Sequence, residues 1–297
     1  MLQFLIDTLL RTADLALITL GLSMLYGLIK FPNIAHVQYA MCGAFLAYGI
    51  HSAGAPLIMA VVLASILTGL LTLAIQLLIF DRLLKGGPAI AMIGSLAVSM
   101  VLVASVLGIA GSFPHMFSRP YTEPLTIGDA RFSSAQLWFV LTTLVLLALF
   151  VLVLFHTQVG RAMRALACNP ALADASGLSA TRLTNGVTFI SGMLAGLGGS
   201  MLSLSTGAHV NLGYDLLLPV FAAAILGGLG NPIGAVAGAL LIALTETVVT
   251  NINFGPLFGE TLVFLPVSYI SAASFLILLL ALLFKPYGLF DREVRRV

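Results

Sequence analysis

QLWFVLTTLVLLALFVLVLFH (136–156) contains no Asp, Glu, Lys or Arg, and the polar TQVGRAMRALACNPALADASGLSATR (157–182) follows at once. A helix needs about 20 apolar residues to cross the hydrocarbon core of a bilayer, and the first stretch supplies them. Working outward, the same ruler predicts eight further spans, at 8–29, 34–51, 56–81, 89–110, 183–205, 216–229, 233–250 and 262–284. The 216–229 stretch is short for a straight crossing, and 34–51 and 233–250 are marginal. Met1–Asp7 has no basic leader region and no small-residue cleavage pattern follows it, so the first span is expected to be retained.

Of 297 residues, 60% are hydrophobic and 8% charged, where soluble domains carry roughly 25% charge. So few charges can neither solvate a globular surface nor coat a phosphate backbone, which excludes a soluble enzyme, a disordered chain and a nucleic-acid binder. Cys42 and Cys168 are too few for a disulfide framework or a metal cluster, and the five histidines are scattered. No G-x-x-x-x-G-K-[ST] is present, so the chain has no P-loop of its own. GLGNPIG (228–234) lacks the spacing and the βαβ setting of a dinucleotide site, and no Ser/His/Asp arrangement forms a triad. The expected fold is all-α: a polytopic bundle of 8–10 membrane segments, some short or interrupted, in a single domain over 1–297.

Basic residues set the orientation of such a bundle. With alternating crossings, one side receives Lys30, Arg82, Lys85, Arg161, Arg164, Arg182, Lys285, Arg292, Arg295 and Arg296, and the other only Arg11, Arg119 and Arg131. The N-terminus is therefore expected outside and the C-terminus in the cytoplasm. Residues 111–135 become the long outer loop and 157–182 the long inner one. The outer loops 111–135 and 206–215 are the surfaces sidedness offers to an external partner.

Four places carry chemistry. YGLIKFPNIAHVQYAMCGAFLAY (26–48) breaks at Pro32 and loads Asn33, His36 and Gln38 into six residues, where polar groups are costly unless they face protein or water. LGGLGNPIGAVAGALL (226–241) repeats the pattern at Asn231-Pro232. Paired interruptions can mark a transport pathway, and they can equally be hairpin turns. Gly192/Gly196, Ala195/Gly199 and Gly234/Gly238 allow close helix approach, within the chain or between subunits. Glu246 is a carboxylate inside a span, with a substrate- or proton-handling role or a structural one satisfied by Thr245 and Thr247; Arg11 and Asp14 read as an ion pair. Finally, Gly160–Leu178 reads as two short helices punctuated by Asn169-Pro170 and closed by Gly177. Such a segment suits the grip of a soluble partner, or an interfacial loop whose arginines meet anionic lipid.

FPNIAHVQYAMCGAF (31–45), GRAMRALACNPALADASGL (160–178), AAAILGGLGNPIGAVAGALLIALTE (222–246) and KPYGLFDR (285–292) together resemble the permease subunits of branched-chain amino acid ABC importers, of the LivH type in the LivH/LivM group. The resemblance runs over nearly the whole chain. It implies a subunit of the bacterial inner membrane that binds no cofactor itself and is not an enzyme. It works with a second, related permease, two cytoplasmic ATPase subunits that bind the ATP, and a periplasmic binding protein that delivers a small-molecule substrate. Gly160, Arg161, Arg164, Ala165, Asn169, Pro170, Ala173 and Gly177 occupy the positions of the ATPase-coupling loop. Asn33 and His36 match an Asn-x-x-His of the first break, Glu246 an acidic position, and Gln38 and Asn231 join them as pathway residues. Val37 stands where the family more often has Gly, and related permeases carry urea, amides or small organic acids. A gradient-driven secondary transporter, which would want paired intramembrane carboxylates, and a purely structural membrane anchor are the readings from other classes.

Overall fold

The computed structural model describes residues 2–117, 125–127, 130–252, 269–285 and 288–290. Its helices are α1 (Leu2–Ile29), α2 (His36–Ser52), α3 (Leu57–Ile75, continued through a π turn to Gly86), α4 (Pro88–Ala110), α5 (Ser134–His156), α6 (Gln158–Cys168), α7 (Pro170–Ala175), α8 (Ala180–Thr206), α9 (Leu212–Gly227), α10 (Pro232–Asn251) and α11 (Ile270–Phe284). A short antiparallel hairpin, β1 (Leu125–Ile127) and β2 (Ala130–Phe132), precedes α5. The all-α polytopic expectation holds; eight anticipated spans are helices, and the ninth is helical over Ile270–Phe284, with its 262–268 part outside the described residues. Six of them are long and apolar enough to cross a membrane, α10 among them, so 233–250 is not marginal. The 216–229 stretch is a separate 16-residue helix with Pro219 inside it. Arg119, Arg292, Arg295 and Arg296 lie outside the described residues.

The chain alternates between two ends of the bundle. At one, Gly27 meets Gly230, Leu289 N–H donates to Leu226 O, and α6 with α7 hangs from α5. Lys30, Arg82, Lys85, Arg161, Arg164, Arg182 and Lys285 gather there. At the opposite end, Arg131 N–H donates to Gln3, and the 111–135 and 206–215 loops are joined by reciprocal 2.9 Å bonds between His115 and Ala208.

The centre is α8, which packs on α1, α2 and α3. It can do so because its inner face is small: a Cβ on Gly43 of α2 would overlap the backbone of Gly196, and one on Gly199 would overlap Ala40. Serines bridge the same contacts, Ser200 donating to Gly43 O (3.0 Å) and Ser191 to Gly21 O (2.8 Å). Gly192, Gly196, Gly199, Gly234 and Gly238 all meet neighbours in their own chain, so the small-residue motifs serve internal packing.

Gly43→Ala is expected to force α2 from α8 and cost about 1–3 kcal/mol. Gly49→Ala, in the same helix but with open space around it, is expected to gain up to about 1 kcal/mol. Thermal unfolding of the two variants in one detergent checks the pair; equal midpoints would remove the close contact from the argument.

Candidate functional site

Where α5 ends, Thr157 turns to extended backbone and its hydroxyl accepts from Gly160 N–H at 3.2 Å, starting α6. Gly160 lies so close to the last carbonyls of α5, at Val153 and Leu154, that a Cβ would overlap them. Arg164 then reaches back, donating to Leu154 O with its guanidinium 5.4 Å from the Phe155 ring centre. Asn169 breaks the helix and caps the next one, its side chain accepting from Leu172 N–H (3.1 Å), with Pro170 as the first residue of α7. Gly177, at φ +82°, closes α7, a left-handed turn that favours glycine. Gly160, Met163, Leu166 and Ala173 face inward, while Arg161, Ala165, Asn169 and Pro170 face out. Five of the eight expected residues thus build the shape: Gly160, Arg164, Asn169, Pro170 and Gly177. Leu172 was not anticipated, yet it is an apolar side chain 64% exposed on α7. Between two alanines it reads in sequence like core.

The first break does not run along the surface. Lys30, at φ +56°, turns the chain at the end of α1, and Phe31 packs on Phe80 with ring centroids 5.5 Å apart. Ile34 N–H donates to Ser95 of α4 (3.0 Å), and Asn33 is spent on the turn, its side-chain oxygen accepting from Ala35 N–H (3.1 Å). His36, the first residue of α2, donates through Nε2 to Ile18 O (3.1 Å), since a carbonyl can only accept. Ile18 lies eleven residues before Ile29, roughly 17 Å of helix rise, so α2 starts inside the bundle beside the middle of α1. Gln38, one turn into the break, is fully buried against Gly213 of α9, and neither atom of its carboxamide has a hydrogen-bond partner among the described residues. The Nδ1 of His36 is unpartnered too.

Glu246 is satisfied differently from expectation. Thr245 and Thr247 bond to carbonyls of their own helix, Leu241 O and Ala243 O, at 2.8 Å. The carboxylate instead takes Arg11 Nε at 2.5 Å and the hydroxyl of Ser274, tying α10 to α1 and α11. Arg11 therefore pairs with Glu246 and not with Asp14, which has no ion pair among the described residues. A helix-spacing rule sees only neighbours on one helix; a partner 235 residues away decided the outcome. Asn231 stands apart from the 33–38 group: it caps α10 by accepting from Gly234 N–H (3.1 Å) and donates to Phe290 O (3.2 Å).

Against known proteins, the family model described as "Branched-chain amino acid transport system / permease component" matches residues 4–284. The chain belongs to this family. Among its relatives, the permease is 28% identical to the probable branched-chain amino acid transport permease protein LivH of Methanocaldococcus jannaschii, over 93% of this chain and 88% of that one. It is 27% identical to the high-affinity branched-chain amino acid transport system permease protein BraD of Pseudomonas aeruginosa (100% and 98%) and to LivH of Escherichia coli K12 (95% and 93%). A chain of PsaBC from Streptococcus pneumoniae, solved in complex with Fab, shares the fold, with a TM-score of 0.50 at 13% identity over 94% of this permease and 91% of that chain. The permease is thus a multi-pass membrane protein and the transport subunit of an importer.

Removing one partner of the Arg11–Glu246 pair strands a charge in the bundle, so Glu246→Ala is expected to destabilise the permease by on the order of 3 kcal/mol. The double variant Arg11→Met with Glu246→Leu is expected to recover most of that loss, as read from unfolding midpoints in a double-mutant cycle.

Proposed function

We propose that this permease carries branched-chain amino acids inward through a bacterial inner membrane, driven by ATP that partner subunits bind and hydrolyse. It pairs with a second, related permease, two cytoplasmic ATPases and a periplasmic binding protein. The N-terminus is periplasmic, and the basic end bearing α6 and α7 is cytoplasmic. No cofactor is bound by the chain itself.

The observation that carries this reading is the α6–α7 arm. It is a pair of short helices anchored by Gly160 and Arg164 to α5, turning its polar face and Leu172 away from the bundle. ATPase movement against that face shifts α6, whose Met163 packs with Leu20 and Met24 of α1 and Val187 of α8. The nucleotide state can bias the permease only through contacts that differ between its conformations, and this arm is where such contacts are made. Substrate passes beside the start of α2. Gln38, unpaired among the described residues, exchanges its lost hydrogen bonds for substrate or water when α9 and its Gly213 move aside. His36 stands on the other flank of α2, bonded to Ile18 O, Asn33 holds the turn before it, and the joined outer loops at His115 and Ala208 form a platform for the binding protein. A gradient-driven carrier is less well supported, because Glu246 is committed to Arg11 and Ser274.

In proteoliposomes holding the whole complex, Leu172→Asp is expected to lower leucine uptake at least tenfold by weakening ATPase docking, with the unfolding midpoint of the permease unchanged. Arg164→Ala is expected to leave ATP hydrolysis running while uptake fails. Uptake unaffected by either change removes the arm from the coupling path.

A further inference from the structure

Between α1, α5, α6 and α8 lies an apolar cleft of ≈ 410 Å³ that the transport reading does not use. Met24, Phe150, Val153, Met163 and Val187 help to line it, and the charged residue among its lining is Arg182, at its end nearest α6. Two features set it apart from ordinary lipid-facing surface. Arg182, near the start of α8, has no carboxylate or other hydrogen-bond partner among the described residues, although it sits where a helix enters the bilayer. The cleft is also open beside Gly186, which contributes no side chain to it: a Cβ there would meet nothing within 4 Å. Its α8 wall, from Leu183 to Leu194, runs roughly 17 Å at 1.5 Å per residue.

We propose that this cleft binds one anionic phospholipid, its acyl chain lying along α8 past Gly186 and its phosphate on the Arg182 guanidinium. The chemistry on both ends fits. A hydrocarbon chain satisfies a wall that offers no hydrogen bonds, and a guanidinium at the interface pairs with a phosphate in a fork geometry. A zwitterionic lipid fills the wall equally well but neutralises Arg182 less. Because Val159 and Met163 of α6 form part of the same wall, the bound lipid props the arm against α1 and α8 and so tunes its coupling.

The test uses the full-length permease and native mass spectrometry of complexes formed in micelles carrying phosphatidylglycerol or phosphatidylcholine. Wild type is expected to retain one phosphatidylglycerol per chain in preference to phosphatidylcholine. Arg182→Gln is expected to lower phosphatidylglycerol retention about fivefold while leaving phosphatidylcholine retention as it was. Gly186→Leu, which fills open space in a helix, is expected to fold at least as stably as wild type yet lose both lipids. Lys85→Gln, at the end of α3 away from the cleft, is expected to change neither, which separates a built site from general attraction to basic residues. Equal retention of the two lipids by wild type, or unchanged retention in both cleft variants, overturns the proposal. So does disulfide capture of a sister subunit by Leu149→Cys in whole membranes, which would place protein in the cleft. These outcomes concern lipid binding alone, so they stand apart from any failure of amino acid uptake.

Discussion

Apolar side chains gain almost nothing by leaving lipid for a protein interior, so a membrane bundle must be held by close backbone contact and by hydrogen bonds that hydrocarbon cannot supply. Here that condition is met at α8. Glycine on α8 against glycine and alanine on α2 brings the two backbones together, and Ser191 and Ser200 spend their hydroxyls on carbonyls of α1 and α2. The rest of the architecture leans on this knot. Only a helix held this firmly along one side can begin in mid-bundle, as α2 does, without its first turn drifting towards either surface.

The same knot divides the molecule mechanically. Around α8 the helices are closely packed and small-faced. Towards the edge, α4 and α5 expose large residues such as Ile93, Val101, Trp138 and Leu144, as a lipid- or subunit-facing surface requires. The α6–α7 arm joins the two regimes. It is hinged on an edge helix through Arg164 and Leu154, but its buried side, through Met163, reaches α1 and α8. The arm's buried side is therefore continuous with the packed centre, the contact on which the proposed coupling rests.

The membrane class and the spans among the described residues were legible because a run such as 136–156 has one physical explanation. Local punctuation was legible too: Asn169-Pro170 and Gly177 shape the arm as their backbone preferences dictate. What escaped was everything set by distant pairing. Arg11 beside Asp14 looks like a local ion pair until α10 brings in Glu246. Asn231 looks like a twin of Asn33, and each holds a turn, yet only Asn33 belongs to a segment that folds back into the bundle. The depth of Gln38 and its contact with Gly213 could not be read from either residue alone.

Polar groups in this bundle fall into two physical kinds. Many are satisfied within the protein: Asn33 and Asn231 by the turns they hold, Thr245 and Thr247 by carbonyls of their own helix, Glu246 by Arg11 and Ser274. Such groups hold one conformation in place. Gln38, one nitrogen of His36, the hydroxyls of Thr19, Ser23, Tyr39, Ser99 and Thr143 and the side-chain oxygen of Gln76 are buried without partners among the described residues. In a medium without water an unmade hydrogen bond costs on the order of 1–3 kcal/mol, enough to tilt a balance between two conformations but too little to unfold a chain. In the transport cycle proposed above, Gln38 is a group of that kind, placed near the start of α2 against α9.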